Sequence, residues 1–145
     1  MKYFALITVG MAFLLASFNT LPKNKENEPV KGIKFEVLSF EQALEQAKAT
    51  NKLIFMDAYA VWCGPCKWMD ANSFKDQAVG DFFNENFINL KVDMEKGEGP
   101  NLARRYKVTA YPTLFFINAE GEIVERVLGA KPAKDLLKIG QKVAN

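Results

Sequence analysis

Phe55-Met56-Asp57-Ala58-Tyr59-Ala60-Val61-Trp62-Cys63-Gly64-Pro65-Cys66-Lys67 decides the reading of this chain. It continues a nearly unbroken apolar run, Leu53 to Tyr59, the pattern of a central strand buried on both faces. Asp57 interrupts the run. Cys63 and Cys66 follow at once and are the only cysteines in the chain. A strand leading straight into a helix places Cys63 at the helix N-terminus, among unpaired backbone N–H groups and the positive end of the helix dipole. Both favour a thiolate, and cysteines so placed titrate at ~3.5–7.5 rather than ~8.5. Cys66 lies nearly one helical turn on, so its sulfur can reach that of Cys63, and it is expected to be the less exposed of the two. The expected roles are Cys63 as attacking nucleophile and Cys66 as resolving thiol, the two forming a redox-active disulfide. Gly64 is expected to let the turn tighten without a Cβ clash. Pro65 brings a φ already set for a first helical turn. Trp62 offers a flat apolar surface beside the sulfur, and Lys67 adds a solvated positive charge.

Other uses of the pair fit less well. A zinc site needs about four ligands, and with no histidine in the sequence a lone Cys-x-x-Cys supplies two. No metal or cofactor is therefore expected; the electrons reside in the cysteine pair. A purely structural bridge would close too small a loop to stabilise much.

Composition narrows the class further. The chain has 145 residues, about one domain, with 49 % apolar and 25 % charged residues. A net charge of +2 gives no broad electropositive face, so nucleic acid is not an implied partner. The first twenty residues differ from the rest. Lys2 precedes an uncharged, mostly apolar run from Tyr3 to Phe18, the pattern of a signal peptide. Ser17 and Asn19 make a poor cleavage site, so a retained N-terminal membrane anchor over residues 3–21 is the alternative. Residues 21–29, with the Pro22–Pro29 stretch PKNKENEP, read as a linker. Residues 30–145 read as the folded domain. Export would place the cysteines in an oxidising setting.

Along that domain, Ile33 to Leu38 alternates like a short strand. Ser39 and Gln42 form a capping box for a helix reaching about Ala49, with Phe40, Leu44 and Ala47 inward. A helix from Cys63 carries Trp68, Met69 and Phe74 on its pattern. Asp76 caps a second helical piece with Val79, Phe82 and Phe83. Phe87 to Val92 reads as a strand. Lys96-Gly97-Glu98-Gly99-Pro100 reads as a turn, since it lacks the strand, lysine and hydroxyl of a nucleotide loop. Pro100 opens a short helix to Tyr106. Thr113–Ile117 and Ile123–Leu128 form a hairpin around Asn118-Ala119-Glu120-Gly121. Pro132 starts a last helix with Leu136, Leu137 and Val143 inward. The order β-α-β-α-β-α-β-β-α implies a mixed central sheet with helices on both faces.

The Phe55–Lys67 stretch closely resembles the active-site segment of thioredoxins, and the resemblance runs from about Phe35 to Asn145. Ala110-Tyr111-Pro112-Thr113 looks like the family's second landmark. The resemblance implies an α/β thioredoxin fold, a mixed central β-sheet flanked by helices. It also implies a cis bond before Pro112, which faces the disulfide, and a groove-lining glycine at Gly129. Trp62, Gly64, Pro65, Tyr111, Pro112 and Gly129 thus become the expected substrate-binding surface. Asp57 stands six residues before Cys63, where thioredoxins bury an aspartate that exchanges a proton with the resolving cysteine. An aspartate bonded only to backbone N–H groups is the structural alternative. Aligning Val92-Asp93 with the family puts Asn89, not a lysine, at the position that often pairs with that aspartate. Ser73 to Phe87 is longer and more aromatic than in small thioredoxins. It looks more like the C-terminal domain of periplasmic thiol:disulfide interchange reductases. The Phe82, Phe83 and Phe87 cluster reads as core.

The resemblance implies a thiol–disulfide oxidoreductase acting on protein thiols and disulfides; the Lys2 and Tyr3–Phe18 pattern adds export, and a monomer is expected. The Gly64-Pro65 dipeptide resembles that of reducing thioredoxins, and a reductase outside the cytosol needs a membrane electron donor. A disulfide oxidase or isomerase is the nearer alternative, and a non-catalytic thioredoxin-fold adaptor the further one.

Overall fold

Alternation along one buried strand organises the domain. In the computed structural model, which describes residues 31–145, Leu53–Tyr59 (β1) lies between two neighbours in a four-stranded sheet. Phe87–Asp93 (β2) pairs with β1 in parallel; Thr113–Ile117 (β3) pairs with it antiparallel, and Ile123–Leu128 (β4) completes the order β2-β1-β3-β4. Successive β1 side chains point to opposite faces. Ile54, Met56 and Ala58 join one core layer with Phe40, Ala43, Ala47, Leu90 and Phe115. Phe55 joins the other, with Met69, Phe74, Val79, Phe83, Leu114, Phe116 and Leu136. Asp57 shares the parity of Phe55 and is fully buried.

The helices cover both faces. Phe40–Thr50 (α1) begins at the expected capping box: Ser39 N–H donates to Gln42 Oε1 at 2.9 Å, and Gln42 N–H donates to Ser39 Oγ at 3.2 Å. A third N-terminal donor, Phe40 N–H, reaches Glu98 Oε1 at 2.9 Å, which ties α1 to the loop after β2. Gly64–Ala71 (α2) follows β1. A 3-10 turn at Ser73–Lys75 then leads into Gln77–Asn86 (α3), whose N-cap Asp76 accepts Val79 N–H at 3.0 Å. Gly99–Arg105 (α4) and Ala133–Ala144 (α5) complete the domain. Phe83 and Phe87 are buried and Phe82 partly so, as expected for core aromatics. Each fully buried Phe contributes roughly 1.5–3 kcal/mol of transfer free energy.

Three local expectations need correction. Ile33–Leu38 is extended but forms no strand. Its donors are used elsewhere: Ile33 N–H to Phe74 carbonyl at 2.7 Å, Lys34 N–H to Asn84 Oδ1 at 2.8 Å, Glu36 N–H to Asn89 carbonyl at 2.8 Å. Side-chain amides of Asn84 and Asn89 clamp this segment from α3 and β2 in place of a ladder. Trp68 faces solvent, 45 % exposed, because Cys66 and Met69 define the buried side of α2. The steric reason for Gly64 also fails, since a Cβ there would meet open space.

Gly32, at φ +86°, and Gly80 do need to be glycine. Their backbones touch, and a Cβ on Gly80 would run into the Gly32 carbonyl group. Gly80→Ala is expected to lower stability by about 1–3 kcal/mol through forced displacement of this segment. Urea unfolding checks this; an unchanged midpoint would show that the segment yields freely.

The export segment and linker expected at residues 1–29 lie outside the described residues. Among those described, no helix is long and apolar enough to cross a membrane.

Candidate active site

The end of β1 delivers the cysteines to the start of α2. Cys63 is the N-cap of α2, in extended conformation, and Pro65 lies in the first turn. Cys63 and Cys66 form a disulfide. Cys66 N–H donates to Cys63 Sγ at 3.1 Å, so one of the orphan donors of the helix start points at this sulfur. Both sulfur-bearing residues are nearly enclosed, Cys63 at 3 % and Cys66 at 1 % exposure. The predicted difference in depth is small in this oxidised form.

Tyr111 and Pro112 are joined by a cis bond, as the resemblance implied. Pro112 is buried, and Tyr111 packs with Tyr59 against the cluster of Ala60, Cys63 and Cys66. Gly129 takes φ +76° and donates its N–H to the Pro112 carbonyl at 2.9 Å. A side chain there would meet no atom, so the backbone conformation, not space, calls for glycine. Trp62 stands 64 % exposed with its edge toward Tyr111, ring centroids 5.7 Å apart. The surface beside the disulfide is thus built on Tyr111, with Trp62 packed on its ring and Pro112 and Gly129 joined to it through the cis bond and the Gly129 hydrogen bond. Val61, 47 % exposed, adds apolar area to it.

Glu95 was missed by the sequence reading. Its carboxylate accepts the Trp62 indole N–H at 3.0 and 3.1 Å, fixing the orientation of the ring. Burial, with Glu95 and Asp93 nearby, holds the Tyr111 hydroxyl above its usual range. No spacing signal in the sequence links Glu95 to Trp62; only the fold of the 94–98 loop does.

Asp57 has a charged partner after all, which corrects the placement of Asn89. The parallel register sets Asp57 opposite Lys91 and Phe55 opposite Asn89. Lys91 Nζ lies 2.9 Å from Asp57 Oδ2. Asn89 and Lys91 have the same strand parity, so an alignment two residues out still chose the correct face. Asn89 instead donates its amide to the Lys34 and Phe83 carbonyls and to Asn84 Oδ1. The backbone-only alternative for Asp57 is not what the structure shows.

Burial pushes the Asp57 carboxyl up to about 6; Lys91 pulls it down by charge and hydrogen bond, and Asp70 adds a smaller upward push. Its Oδ1 is buried without a hydrogen-bond partner. For Lys91, burial opposes the charge, but Asp57 and Asp70 outweigh it and raise its pKa. A single ammonium thus stays charged between two carboxyls. A cavity of about 270 Å³ opens beside it, lined by Lys31, Ile33, Phe35, Asp70, Phe74, Lys75 and Lys91. A larger one of about 500 Å³ lies at the other end of the sheet, among Asn51, Leu53, Phe87 and Asn145, remote from the chemistry.

The arrangement can direct a helix-start N–H at the Cys63 sulfur and close a disulfide with Cys66 behind it. The chain is similar to known proteins. A family model described as a thioredoxin-like domain matches residues 40–144. Thioredoxin H2 of Arabidopsis thaliana is 36 % identical over 108 residues, covering 73 % of this chain and 75 % of that one. The thiol:disulfide interchange protein DsbD of Pasteurella multocida is 30 % identical over 146 aligned positions, covering 97 % of this chain but only 25 % of that protein. A solution structure of a candidate disulphide-isomerase from Bacteroides thetaiotaomicron is 50 % identical, with a TM-score of 0.70. It covers 80 % of this chain and 96 % of that one.

Proposed function

This chain belongs to the thioredoxin-like family, and from that membership we propose a protein-disulfide reductase that works outside the cytosol. Thiol–disulfide exchange through the Cys63–Cys66 pair is the activity the relatives support. The observation that carries this reading is a helix-capping Cys63 on the same strand-to-helix segment as a buried Asp57, whose one cation, Lys91, is shared with Asp70.

In the reduced protein, the Cys63 thiolate attacks one sulfur of a substrate disulfide. The substrate S–S bond breaks, one substrate thiolate leaves and takes a proton from water, and a mixed disulfide forms. Cys66 then gives its proton to Asp57 and attacks Cys63. The second substrate sulfur leaves as a thiolate and takes a proton from water, and the protein ends as the disulfide, having passed two electrons to the substrate. Trp62, Gly64, Pro65, Tyr111, Pro112 and Gly129 form the surface on which the substrate chain lies. The exposed apolar faces of Val61 and Trp62 suit an unfolded or extended segment.

Location and electron supply rest on residues 1–29 and on the DsbD relative. We assign residues 1–20 to export or anchoring, residues 21–29 to a linker and residues 30–145 to the catalytic domain, with a membrane protein handing electrons outward. Fractionation of the full-length protein tests this, with recovery of intact chain from the cytosol as the contrary result. Insulin reduction driven by a thiol donor tests direction. The 50 % identical neighbour's name favours a second reading, isomerase. Faster reactivation of a scrambled-disulfide substrate than reduction of insulin would establish that reading instead.

A further inference from the structure

Asp70 is an acidic group that the proposed proton transfer leaves unused. It lies near the end of α2, one turn beyond Cys66, and its carboxylate hydrogen-bonds Lys91 Nζ. The same nitrogen bonds Asp57 on its other side. The three side chains descend in exposure: Asp70 at 42 %, Lys91 at 20 % and Asp57 at 0 %. The rings of Tyr59, Phe74 and Phe35 surround the ammonium, with centroids 4.5, 5.3 and 5.7 Å away. Lys91 therefore donates to both carboxylates at once, and its single charge is divided between them.

We propose that Asp70 is a positioning residue for the redox site: it shares the Lys91 ammonium with Asp57 and leaves the buried carboxylate under-compensated. One cation between two carboxylates leaves one negative charge in excess. Asp70 is partly exposed to solvent. Asp57 is fully buried, and no protein donor reaches its Oδ1. The cost of the excess charge falls on the buried group. Asp70 also acts directly as a like charge on Asp57. Other groups around the site do not supply the missing cation. Within β1, Tyr59 faces Lys91 with its ring, and β3 presents Leu114 opposite Asp57. Lys31 and Lys75 stand at the cavity mouth as exposed side chains. Cys63 and Cys66 are tied to each other and do not titrate in the oxidised state.

This inference rests on the reading of Asp57 as the proton acceptor for Cys66, but its test does not. In the full-length oxidised protein, the Asp57 carboxyl carbon is titrated by NMR in the wild type, Asp70→Asn and Lys91→Gln. Removing Asp70 removes a like charge and releases Lys91 to Asp57, so the midpoint should fall. Half a pH unit, a ~threefold change in the ionised-to-protonated ratio, is the expected order. Removing Lys91 should move the midpoint the other way. Asp70 is partly exposed, so its isosteric replacement keeps the fold. A midpoint unchanged or raised in Asp70→Asn would overturn the inference. The same variants are followed for insulin reduction from pH 5 to 9. A midpoint that falls while the exchange profile stays in place upholds the role of Asp70 and removes Asp57 from the exchange chemistry.

Discussion

Cys66→Ser turns the protein from a turnover catalyst into a trap. Cys63 keeps its place as N-cap of α2, and the backbone N–H of residue 66 still points at its sulfur, because that donor does not depend on the side chain. The variant should attack a substrate disulfide as before. The mixed disulfide then has no internal thiol to resolve it, since the sequence contains no third cysteine. Multiple-turnover insulin reduction should fall on the order of 10³-fold or more, and covalent adducts should accumulate on non-reducing gels. Cys63→Ser loses turnover equally but traps nothing. Cys63, not Cys66, is the N-cap of α2 and receives the helix-start N–H that favours its thiolate, so Cys66 left alone is the poorer nucleophile. Adducts formed by Cys63→Ser and not by Cys66→Ser would reverse the two roles.

Much of this site was legible because its signals are local. A capping box, an apolar strand, a Cys-x-x-Cys at a helix start and a Tyr-Pro before another strand each occupy a few adjacent residues. The capping box of α1, the N-cap of α3 at Asp76 and the β3–β4 hairpin formed as read. What the sequence did not disclose depends on register and packing between distant segments. Lys91 meets Asp57 because β2 lies parallel to β1 in one register, and a shift of two residues is invisible to an alternation pattern. Asp70 joins them because α2 crosses that face of the sheet, and Glu95 finds Trp62 because a loop folds back. The misread strand at Ile33–Leu38 has the same origin. Its alternating side chains fit a strand, but Gly32 packing on Gly80 and the amides of Asn84 and Asn89 take its backbone groups first. Alternation reports which side chains are buried, not which donors find a ladder.

Asp57→Asn is expected to make the oxidised domain more stable at neutral pH and a slower catalyst, two results with one cause. The Asp57 carboxyl is raised from 3.8 to about 6 in the folded state, mainly by burial. A raised acid binds its proton more tightly when folded, so its favourable contribution is present at low pH. That contribution is lost as pH rises from the unfolded value through about 6. Above that point the fold carries an ionised, buried carboxylate at a cost of about 3 kcal/mol relative to its protonated form. Asparagine fits the same space and never ionises. The stability advantage of the variant over the wild type, measured by urea unfolding with the disulfide intact, should therefore grow by about 3 kcal/mol between pH 4 and pH 8. Catalysis moves the other way. Without the carboxylate, Cys66 must lose its proton to solvent, and resolution should slow by ~10²-fold near pH 7. The gap narrows below about pH 6, where the wild-type carboxyl is itself protonated. It narrows again above ~8.5, where a free thiol ionises unaided. Stopped-flow resolution of a preformed mixed disulfide across this range reads the effect directly. A variant that shows the stability change but resolves at the wild-type rate at every pH would leave Asp57 as a buried charge with no part in moving the proton.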